Sequence, residues 1–196
     1  MSWLDRVLET AAAVAAVPVF MPNAGCRWPR RGLTPLSASS VSAADAAFAV
    51  EAAELGLAEV LLSRLAAERG QAERARAFAR RMVEEHSAVN TELAGLCATK
   101  RIAMPAVAAR GDRDERDRLD ALPANAFDAA YAARMVADHE RAVALFRLHQ
   151  DVGADADLRA LAARVLPSLE QHLAAARTLA PSRGGRKSGG KSSATG

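Results

Sequence analysis

From about residue 45 to residue 180, apolar side chains recur every three to four positions, the period of an amphipathic helix. Four long stretches carry it. The first spans 46–69, with Asp45 as its expected N-cap and Gly70 as its stop. The second spans 72–100, with Pro105 just beyond, and the third spans 125–151, ahead of Gly153. The fourth spans 155–179 and is closed by Pro181. At ~1.5 Å per residue these are rods of about 36–43 Å. The links at Gly70-Gln71 and Gly153-Ala154 are short, so each flanking pair of helices should form an antiparallel hairpin. The connection 101–124 is long enough to travel the length of the helices, with 112–122 expected as a short helix capped by Asp112 and Glu115. The pattern predicts an all-α fold, an antiparallel four-helix bundle with a long crossover between helices 2 and 3.

The inward stripes of these helices are apolar with one interruption each. Phe48, Ala52, Leu55, Leu62 and Ala66 are interrupted by Glu59, and Phe78, Met82, Val89 and Leu93 by His86. Phe127, Tyr131, Met135, Ala142 and Phe146 are interrupted by His139. In the fourth helix, Leu158, Ala162, Val165, Leu169, Ala176 and Leu179 are interrupted by His172. A buried carboxylate and buried imidazoles need partners, and these four residues make sense if they meet. Counted from the hairpin turns, Glu59, His86 and His139 fall at similar depth, and His172 is offset from His139 by about 7 Å.

Three imidazoles and a carboxylate suit a transition metal such as zinc, iron or copper. The competing reading is a hydrogen-bonded layer that fixes helix register without any ion. Glu85 and Asp138 precede core histidines and are candidate outer acceptors for imidazole N–H groups on neighbouring helices. Glu140 reads as a surface residue, and His149 as a boundary residue beside the third stripe. Pro167, inside the fourth helix, is expected to kink it. The Glu-x-x-His arrangement of di-metal carboxylate proteins is absent, because positions 83, 136 and 169 are Val83, Val136 and Leu169. No nucleophile–base motif, P-loop or dinucleotide fingerprint is present, so no catalytic or organic-cofactor residues are assigned.

Charge divides the chain into three. The net +3 arises because eight of the 26 basic residues, but only two of the 23 acids, lie in 1–40 and beyond 180. The body is mildly acidic, which argues against a specific nucleic-acid partner. The expected organisation is a leader over 1–44, a helical domain over 45–180 and a basic disordered tail over 181–196. The Ser/Gly/Arg/Lys tail suits at most a weak electrostatic contact with anionic surfaces. Within the leader, 11–21 is an apolar run of signal-peptide length, although Asp5 and Glu9 precede it. Asn23-Ala24-Gly25-Cys26 ends like a lipoprotein site without its usual Leu. The expectation is a periplasmic or envelope-associated protein, or a cytoplasmic one if the leader is not a signal.

Phe-Ala-Val-Glu-Ala-Ala-Glu-Leu-Gly-Leu-Ala-Glu-Val from Phe48, Phe-Ala-Arg-Arg-Met-Val-Glu-Glu-His from Phe78 and Phe-Asp-Ala-Ala-Tyr from Phe127, with Met-Val-Ala-Asp-His-Glu from Met135, form a recognisable set. With Leu-Pro-Ser-Leu-Glu-Gln-His-Leu from Leu166, they resemble the bacterial domain-of-unknown-function 4142 family over about 45–180. The resemblance implies a ferritin-like bundle, in proteins that usually carry an export signal and are often described as outer-membrane proteins. This body has neither a ~20-residue apolar span nor barrel-strand alternation. The expectation is a metal-binding protein of envelope stress response rather than an enzyme. A non-metal structural module of the envelope is the first alternative, and a metal-dependent oxidoreductase the second.

Overall fold

The computed structural model describes residues 41–180; the tail and residues 1–40 of the expected leader lie outside them, while 41–44 belong to the start of the helical domain. The fold is all-helical, with no strand among the described residues. Its elements are α1 (Ala43–Arg69), α2 (Glu73–Lys100), α3 (Arg110–Asp120), α4 (Ala124–Val152) and α5 (Ala156–Leu179). No helix is long and apolar enough to cross a membrane, among the described residues.

Helix α1 begins three residues earlier than the sequence pattern suggests. Ser42 is the N-cap, its Oγ accepting from the Asp45 N–H at 3.0 Å. Asp45 is thereby released from capping, and its carboxylate accepts from the backbone N–H groups of Ala154 (3.0 Å) and Asp155 (3.2 Å). These donors form the α4–α5 turn. Asp128 of α4 does the same for the α1–α2 turn, accepting from Gln71 N (2.9 Å) and Ala72 N (2.8 Å). The two aspartates stand 83 residues apart, as do the stop residues Gly70 and Gly153. Each hairpin therefore has its turn fastened by the first helix of the other.

These contacts set the directions. The start of α1 lies beside the α4–α5 turn and the start of α4 beside the α1–α2 turn, so α1 and α4 run antiparallel. Lys100, at the end of α2, reaches Asp155 and Asp157 at the start of α5, both at 2.7 Å. The segment after α2 thus starts at one end of the helices and delivers α4 at the other. Within it, α3 starts two residues before the expected Asp112, with Ala109 at its cap position. Asp112 instead pairs with Arg134 of α4 at 2.9 Å, and Glu115 pairs with Arg118 rather than closing a capping box. Arg69 fastens the far end of α3 by donating to the Leu119, Asp120 and Leu122 carbonyls.

α5 runs unbroken through Pro167. The proline lies on its exposed face, where the lost backbone hydrogen bond opens to water.

The interior is two apolar clusters. One gathers Phe48, Leu55, Leu93, Phe146, Leu158 and Leu169 towards the α4–α5 turn. The other gathers Leu62, Phe78, Met82, Phe127, Tyr131 and Met135 towards the α1–α2 turn. On every long helix the polar interruption falls at the seam: Glu59 between Leu55 and Leu62, His86 between Met82 and Leu93. His139 likewise lies between Met135 and Ala142, and His172 between Leu169 and Ala176.

Candidate metal centre

Glu59, His86, His139 and His172 are all buried, at 1%, 5%, 0% and 2% exposure. The three imidazoles form a near-equilateral triangle, with ring centroids 5.3–5.4 Å apart. Each ring offers a nitrogen within 4.8 Å of the others, so three buried histidines lie close enough to hold a metal ion. The ~7 Å offset expected for His172 disappears for a geometric reason. Side chains on a helix lean towards its N-terminus. Because α4 and α5 are antiparallel, His139 and His172 lean towards each other and close the gap between their Cα levels.

One nitrogen of each ring is fixed from behind. His86 Nδ1 lies 2.7 Å from Glu59 Oε2 and donates to it. His139 Nδ1 is 2.9 Å from the Met135 carbonyl oxygen, which can only accept, so that nitrogen carries the proton. His172 Nε2 donates to Glu85 Oε2 at 2.7 Å. The other nitrogens, His86 Nε2, His139 Nε2 and His172 Nδ1, are buried without a partner. Each offers a lone pair when its ring is neutral, held in position by the hydrogen bond on the opposite side of that ring.

The charges favour the neutral form at His139 and His172, whereas His86 is drawn towards protonation by Glu59. Burial pushes the Glu59 carboxyl up, but the imidazoles of His86, His139 and His172 outweigh it and hold the group below its ordinary value. Burial pushes His86 down, and the Glu59 carboxylate more than reverses this. Burial lowers His139. His172 is pushed down to about 4, by burial first and then by the neighbouring His86. At neutral pH the layer is an ionised Glu59 beside imidazoles, two of which, His139 and His172, are shifted towards the neutral, ligating form.

Of the outer residues, Glu85 and Glu140 are as expected, and Asp138 and His149 are not. Glu85 does accept from an imidazole on a neighbouring helix, and Arg81 fixes it from the other side at 2.6 Å. Asp138 does not. It turns to Arg134, at 2.7 and 2.8 Å, and burial raises its carboxyl to about 6. Glu140 is a surface residue, paired with Arg177. His149 is fully interior rather than a boundary residue, stacked on Phe48 at 3.7 Å with Nε2 3.6 Å from Asp45. The Asp45–His149 pair is hidden in the sequence, where Asp45 stands at the position of an α1 cap. The repeated 83-residue spacing of Asp and Gly is a signal for the contact of Asp45 with the α4–α5 turn, and no spacing marks His149.

Among solved structures, the chain is similar to the crystal structure of a DUF305 fragment from Deinococcus radiodurans. Identity is 15%, the match covers 71% of this chain and 96% of that one, and the TM-score is 0.62. At that identity the likeness concerns the fold alone. No curated protein matches. A family profile described as Domain of unknown function (DUF4142) matches residues 32–179, a span that holds all five helices and every residue of the layer. The chain therefore belongs to the DUF4142 family, as the motifs from Phe48, Phe78, Phe127 and Leu166 indicate.

Proposed function

We propose that this protein binds one transition metal ion through His86, His139 and His172, within a ferritin-like four-helix bundle made of α1, α2, α4 and α5. The observation that carries the reading is the set of three buried, partnerless ring nitrogens, one per helix on α2, α4 and α5. Left unpaired, each costs about 1–3 kcal/mol. One cation relieves all three. The connectivity is supported by the two cross-fastened hairpins and by the 101–123 segment that joins their opposite ends.

Glu59, expected as a fourth ligand, is better assigned as an orienting group. It lies on the Nδ1 side of His86, opposite that ring's free nitrogen. Glu85 serves His172 in the same way, and the Met135 carbonyl serves His139. Three nitrogen donors suit zinc, copper or iron. Tetrahedral zinc holds its donors about 3.3 Å apart, so loading draws the rings inward by about an ångström. The ion would supply a Lewis-acid centre. With no nucleophile–base pair recognised beside it, binding rather than catalysis is the role proposed, in an exported protein that acts at the cell envelope under stress. The support for export is the apolar run at 11–21.

Metal analysis of untagged, zinc-loaded protein tests this, together with its thermal stability. The expected result is one ion per chain and a rise in stability of about 2.7 kcal/mol at free zinc ~100 times Kd. No bound metal and no thermal shift with Zn²⁺, Fe²⁺ or Cu²⁺ would return the layer to a purely structural role.

A further inference from the structure

Two residues of the triad border a cavity. It has a volume of about 280 Å³ and runs from the surface to His86, His172 and Glu59, and His139 of α4 does not line it. Its walls are largely apolar and include Leu55, Val89, Phe146 and Val165. Its outer part is polar, where Arg164 of α5 and Glu92 of α2 form an ion pair. This volume is near the lower end of small-molecule sites, ~300–1,000 Å³.

Three protein donors leave a coordination position for an outside ligand. The cavity provides room for it, and its apolar lining fits a tail rather than water alone. The charge at its inner end selects the head group. A divalent ion among neutral imidazoles would have one buried carboxylate nearby to offset it, Glu59 behind His86, since Glu85 is partly exposed and already paired with Arg81, and Asp138 with Arg134. One positive charge is left over, in surroundings where an uncompensated charge is costly.

We infer that the loaded site takes a small monoanionic ligand with an apolar tail, a short-chain monocarboxylate being the simplest case, with its head on the ion and its tail along Leu55, Val89, Phe146 and Val165. This rests on the metal-binding reading above. Every further methylene buried along the walls should tighten binding by about threefold to fourfold.

The test uses full-length protein loaded with Co²⁺, whose visible ligand-field bands report both metal binding and exogenous ligands. Acetate, butyrate, hexanoate and, as neutral comparator, hexanol are titrated in turn. The expected result is bands that shift with the carboxylates, with affinity climbing along the series, and no shift with hexanol. Ala88, exposed and lining the cavity, carries the plug. Ala88→Trp should weaken hexanoate by about tenfold, the worth of two buried methylenes, and leave acetate and the thermal midpoint unchanged.

Cobalt bands with no dependence on chain length, an equal response to hexanol, or an Ala88→Trp variant that binds hexanoate normally would each overturn the inference and leave metal binding standing. Absence of cobalt bands would overturn both.

Discussion

Two places in this protein bury a carboxylate against histidine, and they do different work. At the α4–α5 turn, Asp45 is 1% exposed and bonded through both oxygens, accepting from the Ser42 hydroxyl and two backbone N–H groups. Its neighbour His149 stands 3.6 Å away and is held mainly by stacking on Phe48. Here a carboxylate serves the backbone, and the imidazole fills space. At the seam between the two apolar clusters the dependence is reversed. Glu59 and Glu85 serve imidazoles, and three rings present free nitrogens to one another. Burial of an Asp/Glu–His pair is thus no sign of a site by itself. What distinguishes the seam is that its unsatisfied atoms converge, whereas the free Nε2 of His149 stands apart from them.

The contrast can be broken most severely by removing one ring from each place. His139→Ala should weaken zinc by about a thousandfold, ~4 kcal/mol, whereas His149→Ala should leave affinity within about twofold. Competition titration against a chromophoric chelator reads both. Asp45→Ala strands two backbone donors, and its expected cost is about 3 kcal/mol by urea unfolding, with zinc affinity unchanged. Glu85→Gln and Glu59→Gln act in the opposite sense. Each should lower zinc affinity by about 10–100-fold through loss of ring orientation.

Acidity sharpens the comparison further. Burial pushes the Asp45 carboxyl up, but its hydrogen bonds from Ser42 and from the Asp155 and Ala154 backbone outweigh it and hold it below its ordinary value. A depressed carboxyl contributes stability above its unfolded pKa of about 3.9 and loses it as pH falls through the lower folded value. The stability gap between the wild type and Asp45→Asn should therefore be constant at neutral pH and close below about pH 4. Paired urea titrations from neutral to strongly acidic pH measure it. The smallest effect concerns neither place. Arg101 ends α2 with φ 59°, and Arg101→Gly should stabilise the metal-free protein by about 1 kcal/mol or less.

Much of the layer was legible in the helical period alone, because a single polar residue in an otherwise apolar stripe stands out without knowledge of its partners. The long helices and the Gly70 and Gly153 stops were legible for the same reason. Three things were not. The depth count misplaced His172, since it tracks Cα positions and ignores the lean of side chains on antiparallel helices. The role of Glu59 depended on which imidazole nitrogen it meets, which no spacing encodes. Asp45 and Asp112 have the sequence context of caps, because local capping and long-range hydrogen bonding use the same residue types. Only the fold decides between them. Asp45 went to the opposite hairpin and Asp112 to Arg134.

X-ray absorption spectroscopy of the zinc-loaded wild-type protein addresses the central claim most directly, because outer-shell scattering counts imidazoles around the ion. The account predicts a first shell at about 2.0–2.1 Å that contains three imidazoles and no Glu59 carboxylate, the remaining position being filled by an exogenous ligand. A shell with two or fewer imidazoles, or one made of oxygen donors alone, would contradict it.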